Sequence, residues 1–272
     1  MAYPTVSAPY GFKPVSLIGG QVFAGSTRDY PIQYNYGTAI YYGDFVTTAS
    51  GYTQIAVVPV STTNTTTGVF LGCYYTNPTT KQRQYSQYYP GNVTAGDITA
   101  IVGDDPDQVF RCAVTAAAGS TTIASASSIL VGQNMVGNTL TGSASTGNGA
   151  GAVVAATANA SGGGFRVLGL VPDTEISNSA TYVSGTGTTS LVVSGLPIGL
   201  YIPIGTDVFN LVNGQLQFTG SSTTAASTVT TTGSTTLTVV ASTATVAGTV
   251  ALVQAPEVLV KLNFGAHRYY VA

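Results

Sequence analysis

Apolar and polar positions along this chain fall mostly into short runs with a period near two. Ala39-Ile40-Tyr41-Tyr42, Phe45-Val46-Thr47-Thr48 and Thr53-Gln54-Ile55-Ala56-Val57-Val58 are rich in β-branched and aromatic residues. They are broken by Gly43-Asp44 and Ser50-Gly51, which predicts strands joined by tight turns. Gly68-Val69-Phe70-Leu71-Gly72-Cys73-Tyr74-Tyr75 is apolar at both parities, so a central strand covered on both faces is expected. Val109 to Val114 alternates, with Phe110, Cys112 and Val114 on one side, and another strand is read at Phe165 to Val171. In Glu257 to Phe264 the even positions are apolar and all but one of the odd positions polar, the clearest strand in the chain. Ala116-Ala117-Ala118 and Thr122 to Ala126 predict a turn or two of helix, and the Gly/Ala/Ser-rich stretch from Gly142 to Gly164 predicts a loop excursion.

These runs group into three regions. Residues 1–20 read as an extended arm, because Pro4, Pro9, Pro14 and Gly19-Gly20 forbid a helix. Tyr10, Phe12 and Val15 make that arm apolar enough to lie on its own domain or on a neighbour. Residues 21–172 plus 255–272 form the main β-domain. Residues 173–254 are an inserted Thr/Ser-rich β-subdomain, in which Thr186-Gly187-Thr188-Thr189-Ser190-Leu191-Val192-Val193 is echoed by Thr232-Gly233-Ser234-Thr235-Thr236-Leu237-Thr238-Val239. Between the copies, Asn213-Gly214 stands between two alternating runs, a strong hairpin signal. The expected fold class is all-β: a β-barrel or β-sandwich body with an extended N-terminal arm and an inserted small β-subdomain.

Charge changes the functional picture more than any motif. Only 7% of residues are charged and there is one histidine, whereas ordinary domains carry about 25%. Active sites are assembled from groups whose pKa can be tuned, so the composition argues against an enzyme. A formal net charge of −2 with scattered Lys and Arg argues against a nucleic-acid partner. No apolar run approaches the ~20 residues of a membrane-spanning helix, and the N-terminus lacks a secretory leader's basic start and apolar core. The chain is therefore expected to be made and left in the cytoplasm, with no membrane partner.

The acidic cluster Asp104-Asp105-Pro106-Asp107 reads as a capped turn in preference to a calcium loop, and no metal or cofactor site is expected. Cys73 and Cys112 read as two buried thiols, and His267 has no nucleophile motif in company. Asp44, Asp97, Asp173, Glu175 and Asp207 are the acids available to a β-rich hydrolase or lyase, and their spacing does not suggest convergence. The stretch from Lys81 to Tyr89 is dense in Tyr and Arg, residue types typical of contact surfaces, though a hairpin packed on its own barrel fits equally. The candidate partner-contact residues are Tyr10, Phe12, Lys13, Val15, Arg83, Tyr85, Tyr88 and Tyr89.

Several short motifs occur in a telling order: Tyr10-Gly11-Phe12-Lys13-Pro14-Val15, Tyr42-Gly43-Asp44-Phe45-Val46, Gly68-Val69-Phe70-Leu71-Gly72, Asp104-Asp105-Pro106-Asp107 with Phe110, Arg166-Val167-Leu168-Gly169-Leu170 and Val258-Leu259-Val260-Lys261-Leu262-Asn263. Together they resemble a family of tailed-bacteriophage virion structural proteins that decorate or cement the capsid. The resemblance covers residues 10–171 and 257–264, and the block 173–256 is longer than the loop expected there. It implies a virion location on the capsid surface after assembly in the host cytoplasm, the major capsid protein as partner, and a homotrimer by analogy. The alternative is a phage tail or host-attachment module with residues 173–254 as its receptor- or glycan-binding tip.

Overall fold

The computed structural model describes residues 6–55, 66–138, 140–155, 163–184, 189–212, 215–231, 233–240, 248–263 and 267. The protein is all-β, with short 3-10 turns at Ser128–Leu130 and Pro172–Thr174 among the described residues. The described strands form three large sheets and one two-stranded ribbon, Tyr201–Ile202 with Ser227–Thr228.

The first sheet runs in the order Arg28–Pro31, Thr99–Gly103, Gly68–Thr76, Phe45–Ala49, Tyr52–Ile55, all antiparallel. A parallel bridge from Ile32 to Thr53 brings its two ends together, leaving a nearly closed barrel. Ile32, Ile40, Val46, Phe70, Cys73, Tyr75, Tyr89 and Val102 belong to the core cluster of this sheet. The second sheet places Glu257–Leu262 between Gln108–Thr115 and Phe165–Leu170. Lys13–Leu17 joins Gln108–Thr115 antiparallel and Ala152–Val154 joins it parallel.

Between barrel and sheet lies the other half of the core. Phe45 and Val69 face the second sheet while their neighbours Val46 and Phe70 belong to the barrel's cluster, the period-two consequence of a pleated strand. This is why Gly68–Thr76 is apolar at both parities: each face meets a different core. A bulge between Phe70 and Gly72 then shifts the phase, so that Cys73 and Tyr75 return to the barrel's cluster. On the closing strand Val258, Val260 and Leu262 face the shared core, as the alternation predicts.

The centre of that shared core is Phe12. It is fully buried, stacked on Phe165 at 4.9 Å and packed against Phe45 at 4.7 Å, with Phe110 edge-on at 6.5 Å. Its backbone N–H donates to the Gly43 carbonyl at 3.0 Å. The two chains approach so closely here that a Cβ on Gly43, whose φ is +88°, would sit 2.9 Å from the Phe12 nitrogen. Phe12 therefore holds the interior of its own chain and is corrected as a partner-contact candidate. The strand Lys13–Leu17 likewise pairs within the chain, so this stretch of the arm lies on its own domain.

Among the described strands, those of the segment 173–254 join neither of these sheets. Its strands make a six-stranded sheet, Gln215–Ser222, Asp207–Val212, Thr249–Gln254, Ile176–Ser184, Ser190–Ser194, Ser234–Thr238, with a core including Leu191, Val193, Ile202, Leu237 and Leu252. The two repeat copies pair with each other antiparallel, Leu191 opposite Leu237. Val212 stands opposite Gln215 across the expected hairpin, whose Asn213-Gly214 lie outside the described residues.

Three expectations are corrected. The stretch Thr122 to Ala126 is extended: Ala124 donates to the Val114 carbonyl, Ser125 to Ile204 and Ala126 to Ala255, so β-type pairing on two sides overrides alanine's helix preference. The stretch from Gly142 contains a buried strand, Ala152–Val154, in addition to loops, because its small side chains fit beside Gln108–Thr115. Ala39 to Tyr42 makes single bridges, Ile40 to Tyr89 and Tyr42 to Asn148, because the chain turns at once into Gly43-Asp44. The expected run Ala56-Val57-Val58 and Phe264 lie outside the described residues.

Truncating Phe12 removes a ring with three aromatic partners. Phe12→Ala is expected to lower unfolding stability by about 3–5 kcal/mol in denaturant titrations, whereas the exposed Val15→Ala changes it by less than about 0.5 kcal/mol.

Candidate contact surfaces and buried charges

Several of the chain's few charges are spent inside it. Glu257 opens the closing strand, 2% exposed, and both its oxygens are taken: one by the Arg111 guanidinium, the other by the Tyr10 hydroxyl. Burial pushes the Glu257 carboxyl up, but hydrogen bonds from Arg111, Tyr10 and Thr174 outweigh it and hold the group below its ordinary value. Tyr10 is pushed well above the ordinary phenol range by burial and by the same carboxylate. It is thus a half-buried tie between arm and closing strand.

Asp44 is a different case. It is 7% exposed, and one oxygen accepts the Tyr41 backbone N–H at 2.8 Å while its own N–H donates to the Tyr41 carbonyl. Burial raises its pKa to about 6, only partly offset by that hydrogen bond. Cys73 is pushed up to about 12 by burial and Cys112 well above the ordinary thiol value; both are free, buried thiols.

The acidic cluster 104–107 is a turn. Asp105 accepts the Asp107 N–H at 2.8 Å, and the other two carboxylates point to separate partners. Asp104 accepts the Tyr30 hydroxyl at 2.7 Å and lies 3.5 Å from Arg28, while Asp107 pairs with Lys261 at 2.9 Å. Among the described residues no group of three or more His, Cys, Asp and Glu side chains is placed to hold a metal ion. His267 is buried beside Asp104; burial pushes its pKa down and the Asp104 backbone and carboxylate pull against that. Of the acids weighed for hydrolysis, Asp44 sits in its turn and Asp97 holds Thr76. Asp207 accepts from Ser127 and from the Ser128 N–H.

The candidate contact residues divide. Tyr89, like Phe12, is fully buried: its ring belongs to the barrel's core cluster and its hydroxyl donates to the Tyr36 carbonyl at 2.8 Å, so it too is corrected. Tyr88 is half-buried, stacked on Tyr41 at 5.5 Å. Val15 and Lys13 are exposed, Lys13 with its ammonium 4.6 Å from the Tyr10 ring centre. Arg83 and Tyr85 are exposed on the strand Arg83–Ser86, which pairs with the end of Gly68–Thr76. Tyr74 completes that face and was missed in the sequence because it lies in a run that reads as core.

A second surface lies at the junction of body and inserted unit. The two are tied by the Ser127 and Ser128 bonds to Asp207 and by Gly205, whose φ is +85° and where a Cβ would sit 1.9 Å from the Ser125 carbonyl oxygen. Beside this tie opens a cleft of about 620 Å³ lined by residues including Ile123, Ile176, Ile198, Tyr201 and Pro256, with no charged side chain among the described residues. No family model, no curated protein and no solved structure matches this chain.

Asp44 and Glu257 carry opposite pH signatures. The raised Asp44 pKa contributes stability below about pH 4 that is lost as pH rises through about 6. Asp44→Asn, which keeps an acceptor for the Tyr41 N–H, is expected to be more stable than the natural chain at pH 7.5, by up to roughly 3 kcal/mol, and equal to it below pH 4. Glu257→Gln is expected to lose about 3 kcal/mol at pH 7, the low end for a broken buried pair because Arg111 is partly exposed. That deficit shrinks as acid protonates Glu257 in the natural chain. Denaturant melts across the pH range read both.

Proposed function

We propose that this chain is a bacteriophage capsid decoration, or cement, protein that binds the outside of the assembled head and ties neighbouring capsomers together, as a trimer by analogy. The observation that carries the reading is where the ordered motifs meet. Gly11 and Phe12 of the first touch Gly43 of the second, whose Phe45 lines the same cluster as Val69, Phe110, Val167, Val258 and Val260 from the other four. Motifs spread over most of the chain thus act as one signature of a body, and the resemblance they carry is to virion structural proteins.

The surface chemistry supports the same reading. With few free charges, a Thr, Ser and Tyr exterior accepts contact with neighbours in place of repelling them. Such a protein works mechanically: each contact is weak, and many of them on one rigid particle add up through valency to a shell that is harder to open. The separate core of the inserted unit favours the second reading, a receptor-binding tip on a tail or attachment module, and would place activity at the cell surface.

Purified chain mixed with phage heads that lack it is expected to bind saturably, at a fixed number of copies per head, and to raise the temperature at which heads release DNA. Binding to unassembled capsid subunits is expected to be at least tenfold weaker. Equal affinity for heads and free subunits overturns the proposal, and binding to host cells with none to heads replaces it with the second reading.

A further inference from the structure

The hairpin that ends in Arg83–Ser86 carries an arrangement that the core does not require. Tyr85 stands opposite Tyr74 across the two strands, their rings 5.4 Å apart and tilted by 46°. The Arg83 guanidinium lies over Tyr74 at 4.2 Å and reaches Tyr85 at 5.7 Å, making a cation-on-tyrosine platform. Tyr85 is 68% exposed and Arg83 is exposed beside it.

Stacking uses the flat face of a guanidinium and leaves its N–H groups, which lie in the plane, available as a fork. No ion pair to Arg83 is formed among the described residues. The two acids in the neighbourhood are committed elsewhere. Asp97, whose carboxylate feels the Arg83 charge, accepts the Thr76 N–H at 3.0 Å and its hydroxyl at 2.6 Å; Asp29 accepts the Tyr74 hydroxyl at 2.8 Å. Lys81, exposed at the turn of the same hairpin, adds a second positive charge. Arg28, Arg111 and Lys261, by contrast, are paired with acids of this chain. Arg83–Ser86 is also an edge strand, paired only to Gly68–Thr76 among the described strands, so its outer backbone groups offer a template for another strand.

We infer that the Tyr74–Arg83–Tyr85 platform receives a carboxylate side chain carried on an extended segment of the neighbouring shell protein, the segment pairing along the free edge of Arg83–Ser86. The inference rests on the decoration reading and names the chemistry of that partner. A carboxylate matches the guanidinium fork with two parallel hydrogen bonds, and backbone pairing fixes its register. The platform holds Arg83 in place beforehand, so little side-chain freedom is lost on docking.

The test compares the full chain with Arg83→Ala, Arg83→Lys and Tyr85→Ala in binding to phage heads lacking the protein, with thermal melts as a control for folding. Arg83→Ala and Arg83→Lys are each expected to bind about thirtyfold more weakly, with melting temperatures unchanged, and Tyr85→Ala is expected to weaken binding less. The natural chain is expected to lose affinity with added salt more steeply than Arg83→Ala. If the natural chain binds heads and both Arg83 variants bind equally well, the inference is overturned and the decoration reading stands. If Arg83→Lys binds as tightly as the natural chain while Arg83→Ala does not, a point charge suffices and the fork is overturned. If the natural chain ignores heads, the decoration reading fails and the inference fails with it.

Discussion

The structure depends on one aromatic ring being delivered from the wrong end of the chain. Phe12 is the piece that both halves of the body share: it stacks on Phe165 of the sheet and packs on Phe45 of the barrel. Its position is set by backbone contact, the Phe12 N–H on the Gly43 carbonyl, possible only because neither Gly11 nor Gly43 carries a side chain. Most other elements follow from that closure. Phe45 and Val69 have a second core to face, Gly68–Thr76 can be apolar on both sides, and the strand Lys13–Leu17 is led straight onto Gln108–Thr115.

Sparse charge has a structural meaning in this fold. A domain with many ionisable groups keeps most of them in water, where exposed pairs contribute little. Here Glu257, Asp104 and Lys261 are drawn inside, each against a named partner, and they tie segments that are far apart in sequence: arm to closing strand, the 104–107 turn to both Arg28 and Lys261. Their register is exacting, because Glu257 and Arg111 lie on one face of adjacent strands and a one-residue slip would move one of them into the phenylalanine core.

Much of this could be read from the sequence, and the exceptions are instructive. Alternation placed Val258, Val260 and Leu262 correctly, since a strand's parity is local information. The echo between residues 186–193 and 232–239 became a strand pair because each copy carries the same β-branched pattern. What local pattern does not carry is who covers whom. Phe12 and Tyr89 looked like contact residues because a Pro- and Tyr-rich segment reads as surface until its partners are known. Ala152–Val154 and the extended Thr122 to Ala126 were hidden by small residues, which pack wherever neighbours leave room. Tyr74 was concealed by the bulge at Gly72, which turns it outward from a run that otherwise reads as interior.

The order in which the body's strands are synthesised differs from the order in which they lie. Glu257–Leu262 occupies the middle of its sheet, flanked on both sides by strands made far earlier, with the whole inserted unit translated in between. A nascent chain on the ribosome therefore carries Gln108–Thr115 and Phe165–Leu170 with a gap between them, and Phe110 and Val167 lack the Val260 that stands opposite both until Glu257–Leu262 is made. The barrel sheet, by contrast, has its full set of strands once Thr99–Gly103 is made and is the natural unit to fold first during synthesis. This topology thus makes closure of the second sheet a later event than completion of either the barrel sheet or the inserted unit.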